Sequence, residues 1–459
     1  MRNRKVQFKL AAALAMPSNR QDTLKSRGGG VSMDAKRERK ENPLVYPHAR
    51  SGSRHWAEFL VAVLAVAGVA AISFSGWRRA WAAQTIPPVK MEAPKFEVDP
   101  SWPHMPNGWT LGQVSSAASD ADGNIWIIHR YRTVKPGVKT GPPVMEFDAA
   151  GNYVRGWGGE SGDAYTWPTS EHGITVDYKG YVWISGNGND DQILKFTKDG
   201  KFVMQIGHAA KKKTNADTTS LWKPADIYVY PKTNELFVSD GYGNKRIIVF
   251  DADTGAYRRM WGAFGNVPMD DPPRPPALTG EAAKAAAAEE EANRTLATGF
   301  DPKDPGPSQF VPPVHGVKVS NDGLVYVADR GGKRVQVFTV EGKYITQVWI
   351  DRWCLVEGGG CNNGNTAASV AFSADPTQRF LYVASRSPAR IWVLDRKTLQ
   401  ALDSFGRPGI APGEFDVLHH MTTDGKGNLY TSEVEDGRRV QKFVFKGLFP
   451  VKLPANGPN

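Results

Sequence analysis

Short apolar runs recur along the second half of the first quarter and through the rest of the chain, alternating with polar positions and separated by Gly, Asp and Asn turns. Six segments repeat one phrase: DADGNIWIIHR, HGITVDYKGYVWISG, ADIYVYPKTNELFVSDG, HGVKVSNDGLVYVADR, ASVAFSADPTQRFLYVASR and HHMTTDGKGNLYTSE. Each reads as a strand, a tight turn and a second strand with a central aromatic. A third and a fourth strand follow and end in Gly, as in GWGG at 156–159, QIG at 205–207, MWG at 260–262 and SFG at 404–406. Two-residue periodicity between such turns predicts a four-stranded antiparallel meander in every segment.

The second-strand aromatics Trp126, Trp183, Phe237, Tyr326, Tyr382 and Tyr430 are spaced by 57, 54, 89, 56 and 48 residues. Setting aside residues 266–308 reduces the outlier to 46 and leaves a period of about 50. One such sheet cannot bury its two faces alone, whereas six arranged radially cover one another. The expected fold is therefore all-β, a six-bladed β-propeller over 112–454, preceded by a segment at 84–111. The sixth unit ends in KFVFKGLFPVKL, so Phe96 to Trp102 is expected to supply or brace its outer strand. The 266–308 insert begins NVPMDDPPRPPALTG, a loop, and continues EAAKAAAAEEEANR, a short exposed helix. It reads either as a lid over one mouth of the channel or as a solvated excursion without a role.

Composition changes the picture at the N-terminus. With 459 residues, 41% hydrophobic and 23% charged, the chain is neither a disordered tail nor a multi-span membrane protein. The net charge of +10 would suggest a polyanion partner, but 15 of the 57 basic and 5 of the 47 acidic residues lie in the first 83 positions. From Gln84 onward the two signs balance at 42 each, which excludes nucleic acid as a ligand. Residues 1–83 combine a basic stretch, the apolar run Phe59 to Phe74 and the small residues Ala80, Ala82 and Ala83. That is the form of an N-terminal export signal. Arg78 and Arg79 follow the run, and extending it from Ala57 to Trp77 gives nearly a membrane span, so an uncleaved anchor helix is the alternative. Met33 offers a second possible start. The body is expected to be monomeric and extracytoplasmic, periplasmic or secreted, touching a membrane through this segment alone. The two cysteines, Cys354 and Cys361, sit close together in a Gly-rich stretch, where an oxidising compartment permits a disulfide; two free thiols are the alternative.

Candidate chemistry emerges from register. His172, His315 and His419 each precede their unit's aromatic by 11 positions, so they share one slot at the start of the innermost strand. They belong to the second, fourth and sixth units, a third of a turn apart, and converge on the axis. Three neutral imidazoles with an open fourth position suit a catalytic zinc, with no softer ligand to favour copper or iron. By the same count the slot holds Asp226 in the third unit and Ser115 in the first. Antiparallel pairing brings the ends of the second strands to the same mouth. Arg130, Arg330 and Arg386 stand there, four residues after their aromatics, and Tyr242 lies just beyond in SDGYGNKRI. Guanidinium groups beside a metal imply a carboxylate substrate. The competing reading of each Arg is a blade-to-blade salt bridge.

The phrases HGITVDYKGYVWIS and its siblings resemble NHL repeats. The set HR at 129–130, HG at 172–173, SDGYGNKRI at 239–247, HG at 315–316, ADR at 328–330 and His419 resembles peptidyl-α-hydroxyglycine α-amidating lyase, over roughly Gly112 to Lys446. The resemblance implies zinc on His172, His315 and His419, Tyr242 as the base for the substrate hydroxyl, and Arg130 and Arg330 on the carboxylate side; the register of second-strand ends adds Arg386 as a substrate-binding cation. The implied reaction splits a C-terminal α-hydroxyglycine into a peptide amide and glyoxylate. Two departures stand out. Gly243 follows the tyrosine where the family often has Cys, and His420 follows the third histidine where the family has an Asp that helps hold a structural calcium, so that calcium is doubtful. His420 also competes with His419 as a ligand, although register favours His419. The other readings are a non-enzymatic NHL-repeat propeller that binds protein or glycan, and a propeller-type metal-dependent lactone or ester hydrolase, against which the three aligned histidines argue. Walker loops, nucleophile elbows and CxxC pairs are missing from the sequence.

Overall fold

A computed structural model describes residues 91–209, 213–272, 279–281, 283–285, 304–354 and 365–451. The expected signal or anchor helix lies outside them, as do most of the insert and Cys361. Among the described residues no helix is long and apolar enough to cross a membrane. Among the described residues twenty-four strands form six four-stranded antiparallel sheets, a six-bladed propeller. The innermost strands are Gln113–Ser119, Glu171–Val176, Ile227–Tyr230, Val314–Val319, Ala367–Phe372 and Val417–Thr423 in blades one to six.

The repeated phrase is explained by its turn. In blade two, Asp177 Oδ1 accepts the backbone N–H groups of Lys179 and Tyr181, each at 2.9 Å, while its Oδ2 accepts Trp183 Nε1–H at 2.8 Å. Asp120 serves Trp126 in the same way at 3.0 Å, and Asp424 serves the Tyr430 hydroxyl at 3.0 Å. The aspartate thus closes the hairpin and also satisfies the one polar atom of an aromatic that is otherwise buried between blades. Trp126 and Trp183 are fully buried, so truncating either to Ala would cost about 3–5 kcal/mol.

The blades pack pairwise through apolar clusters, and the cluster joining Val114, Ile127 and Phe147 of blade one to Tyr430 and Val440 of blade six closes the ring. The sixth sheet is completed by Glu92–Asp99, which pairs antiparallel with Val440–Pro450. The bracing strand therefore begins four residues before and ends three residues before the expected Phe96 to Trp102. Trp102 has left the sheet and packs at 4.9 Å on the Tyr430 ring. Cys354 is buried and disulfide-bonded. Of the insert, residues 280–281 and 283–285 are helical, with an exposed ion pair between Lys284 and Glu281.

Candidate functional site

Five of the six inner strands open with a β-bulge. The pairing register slips around Ser115 in blade one, His172 in blade two, His315 in blade four, Ala368 in blade five and His419–His420 in blade six. A bulged residue leaves the ladder and turns its side chain or carbonyl out of the sheet, here toward the axis. In blade three the equivalent residue is Ala225, not Asp226. The blade-three hairpin pairs Tyr228 with Phe237, nine positions apart, whereas blade two pairs Thr175 with Trp183, eight apart, so the count of 11 falls one residue short.

This ring of bulges alternates side chains with carbonyls. His172 donates Nδ1–H to the Ala225 carbonyl at 2.9 Å, His315 to the Ala368 carbonyl at 2.6 Å and His419 to the Ser115 carbonyl at 2.6 Å, each on the next blade. A carbonyl can only accept, so Nδ1 carries the proton and Nε2 keeps its lone pair in all three rings. The ring centroids are 5.0, 4.7 and 4.6 Å apart, and all three imidazoles are buried. Burial, with the neighbouring cationic and imidazole groups, pushes each pKa well below the usual histidine range, so all three stay neutral.

The donor set fits a metal. One ligand atom from each ring lies within 4.8 Å of the others. His315 Nε2 and His419 Nε2 are 3.2 Å apart with no proton between them. Two nitrogens bound at tetrahedral angles to a zinc-sized ion at 2.0–2.1 Å would be about 3.3 Å apart. Two lone pairs facing each other at that range repel unless a cation sits between them. The carbonyl acceptors supply the outer hydrogen bonds that such ligands usually have. His420 takes another position. Its Nδ1 lies 2.9 Å from the Ser115 carbonyl, its ring stacks on His315 at 4.6 Å, and its Nε2 is buried without a partner. His419, rather than His420, joins the cluster. Asp226 instead accepts Lys318 Nζ at 2.7 Å and the Val317 N–H at 3.1 Å.

Tyr242 stands directly against this centre, its hydroxyl 3.0 Å from His172 Nε2. Two glycines fix it. A side chain at Gly241 would meet the Val314 carbonyl at 2.0 Å, and one at Gly243 would enter the Trp222 ring at 2.2 Å, so both flanks pack backbone against neighbours where only Gly fits. Arg330 NH1 donates to the Tyr242 hydroxyl oxygen at 3.3 Å, and its guanidinium lies 5.3 Å from the ring centre. Arg130 donates Nε–H to the Glu171 carbonyl at 3.1 Å and NH1 to Gln113 Oε1 at 2.8 Å. Arg386 completes the group. The Nε atoms of Arg330 and Arg386 are buried without partners, and none of the three arginines forms an ion pair with a described residue. Burial, followed for Arg386 by the charge of Arg330, lowers the pKa values of Arg130 and Arg386 from the ordinary arginine range. The salt-bridge reading of these arginines has no support at this mouth. Gln113 and Glu171, which hold Arg130, carry no signal in the repeat, because the equivalent strand positions of the other blades hold unlike residues such as Val314 and Leu418.

Comparison with known proteins places this geometry. The NHL repeat family model matches residues 314–338, the hairpin and third strand that follow His315. The chain carries an NHL repeat within a six-bladed propeller. This NHL-repeat propeller is 26% identical to NHL repeat-containing protein 3 of Homo sapiens, over 76% of this chain and 84% of that one. It is 31% identical to a probable peptidyl-alpha-hydroxyglycine alpha-amidating lyase of Caenorhabditis elegans, over 37% of this chain and 36% of the lyase. A solved streptogramin B lyase covers 77% of this chain and 98% of its own, at 14% identity and a TM-score of 0.42. The lyase likeness spans about a third of each chain, so it adds weight to the site only where residues and geometry agree.

Proposed function

We propose that the NHL-repeat propeller is a zinc-dependent lyase that works outside the cytoplasm on a small or peptide carboxylate, cleaving peptidyl-α-hydroxyglycine to the peptide amide and glyoxylate. The observation that carries this reading is the meeting of three proton-free Nε2 atoms with the Tyr242 hydroxyl and three guanidiniums that lack ion-pair partners. His172, His315 and His419 would hold the ion, which when bound supplies Lewis acidity to substrate oxygens at the mouth. Arg130 and Arg330 bind and orient the carboxylate, with Arg386 beside them. Tyr242, in its deprotonated form, takes the proton of the α-hydroxyl. As that O–H bond breaks, the carbon–oxygen double bond of glyoxylate forms and the carbon–nitrogen bond releases the amide. The proton removed from oxygen ends on nitrogen, so no external reductant or oxidant is needed. Arg330, within 3.3 Å of the tyrosine oxygen, steadies the negative charge that moves through the site. The disulfide at Cys354 agrees with an oxidising compartment.

A non-enzymatic propeller is the second reading, favoured by the broad likeness to NHL repeat-containing protein 3. Incubation of the zinc-loaded full chain with an α-hydroxyglycine peptide separates the two. The lyase reading expects glyoxylate release that drops about 10²–10⁴-fold in Tyr242→Phe. No release by the wild type would leave the scaffold.

A further inference from the structure

Most carboxylates around the arginine mouth already hold at least two donors. Glu171 accepts Arg132 at 2.9 Å and Trp167 Nε1 at 2.8 Å. Asp416 accepts the backbone N–H groups of Asp436 and Gly437 at 3.1 and 2.9 Å. Glu433 binds Arg439 at 2.7 Å and Gln441 at 2.8 Å. Glu435 differs. It is exposed, and its side chain makes one polar contact among the described residues, a long 3.5 Å bond from Gln113 Nε2.

The backbone carries Glu435 to this place at a cost. Glu435 and Arg438 both adopt positive φ, at 52° and 41°, a region that non-glycine residues seldom enter. Arg438 fastens the turn across the ring closure, donating NH1 to the Thr133 carbonyl of blade one at 2.9 Å and Nε to the Glu435 carbonyl at 3.0 Å. Thr133 in turn donates its hydroxyl to the Arg130 carbonyl at 2.7 Å. The amide of Gln113 is oriented by both neighbours, its oxygen toward Arg130 at 2.8 Å and its nitrogen toward Glu435. An uncommitted negative charge is thereby held one side chain away from Arg130. Its field reaches Arg386 as well.

We propose that Glu435 is a specificity-determining residue, a charge filter that biases this mouth toward ligands with a single carboxylate. This inference rests on the carboxylate-binding reading above. A ligand carboxylate is drawn by three guanidiniums and opposed by one glutamate, and a second carboxylate on the same ligand meets that glutamate again. A donor group beside the first carboxylate, such as a peptide N–H, is favoured instead. At roughly 8 Å in a solvated mouth, each repulsion is worth about a threefold change in affinity, so a dianion suffers about tenfold.

Glycolate and tartronate form a matched pair of α-hydroxy acids with one and two carboxylates. Their binding to the zinc-loaded full chain would be measured by calorimetry at low ionic strength, in wild type, Glu435→Gln and the control Asp436→Asn, an exposed acid on the same turn. Glu435→Gln should tighten tartronate about tenfold and glycolate about threefold, with the difference shrinking as salt is raised, while Asp436→Asn leaves the ratio unchanged. Equal shifts for both acids, no shift, or the same shift in the control would overturn the filter while leaving the carboxylate site intact. Failure of the wild type to bind either acid would overturn both.

Discussion

Two sets of arginines at one mouth of this propeller behave in opposite ways, one buried and the other buried or half-buried. Arg246 and Arg334 open the third strands of blades three and four, Arg246–Asp251 and Arg334–Thr339, and are completely buried. Each pairs at 2.9 Å with the aspartate that ends the preceding strand, Asp240 or Asp329. Each also donates to loop carbonyls, Arg246 to Asn215 and Ser220, and Arg334 to Pro305, Pro307 and Gln309. Arg130, Arg330 and Arg386 lie at the same mouth and have neither a carboxylate partner nor, for two of them, a partner for Nε. A buried guanidinium that is fully satisfied is part of the scaffold. One left short of acceptors beside three lone-pair imidazoles is, on the function proposed above, the group that takes the anion.

That contrast can be broken experimentally, beginning with the largest effect. Removing a lock should unfold the protein more readily than removing a mouth residue. Arg334→Ala leaves Asp329 buried and unpaired and should cost about 3–5 kcal/mol in denaturant titration. Arg330→Ala should change stability by less than about 1 kcal/mol and instead abolish glycolate binding. Equal stability losses for the two would erase the distinction.

The histidines divide in the same way, which gives a pH prediction. His129 is buried, but both ring nitrogens are used: Nδ1 accepts the Gly112 N–H at 3.1 Å and Nε2–H donates to the Pro142 carbonyl at 3.0 Å. Burial lowers its pKa from 6.5 to about 4. Between those values the unfolded chain binds a proton at this position that the folded one refuses, so His129 by itself lowers stability by about 3 kcal/mol as pH drops from about 6.5 to 4, beside the share of the buried neutral His172, His315 and His419. His129→Gln should lessen the slope there by the one proton this group contributes. An unchanged slope would show that another group carries it.

A smaller effect concerns the metal itself. Zinc at 100 times its dissociation constant should raise stability by about 2.7 kcal/mol, seen as a higher melting temperature. In His172→Ala the increment should vanish, whereas in His129→Gln it should persist.

Much of this was legible in the sequence because a propeller repeats. The six aromatics and their Asp turns announce the blades, and since one hairpin separates the aromatic from the bulge, counting back 11 positions finds His172, His315 and His419. The count slips in blade three, where a different hairpin makes Ala225 rather than Asp226 the ring residue. Residues outside the counted slots leave no such trace. Gln113, Glu171 and Glu435 gain their places from contacts between blades, and the complete pairing of Arg246 and Arg334 depends on carbonyls from distant loops. Register locates what recurs, whereas satisfaction of each buried polar atom has to be read from the fold.

The central claim is that three Nε2 lone pairs meet at one ion. Metal analysis of the purified full chain tests it most directly, with wild type beside His172→Ala, His315→Ala, His419→Ala and His420→Ala. About one zinc per chain, lost in the first three variants and kept in His420→Ala, is the predicted result. A metal-free wild type, or metal retained when any of the three is removed, would contradict it.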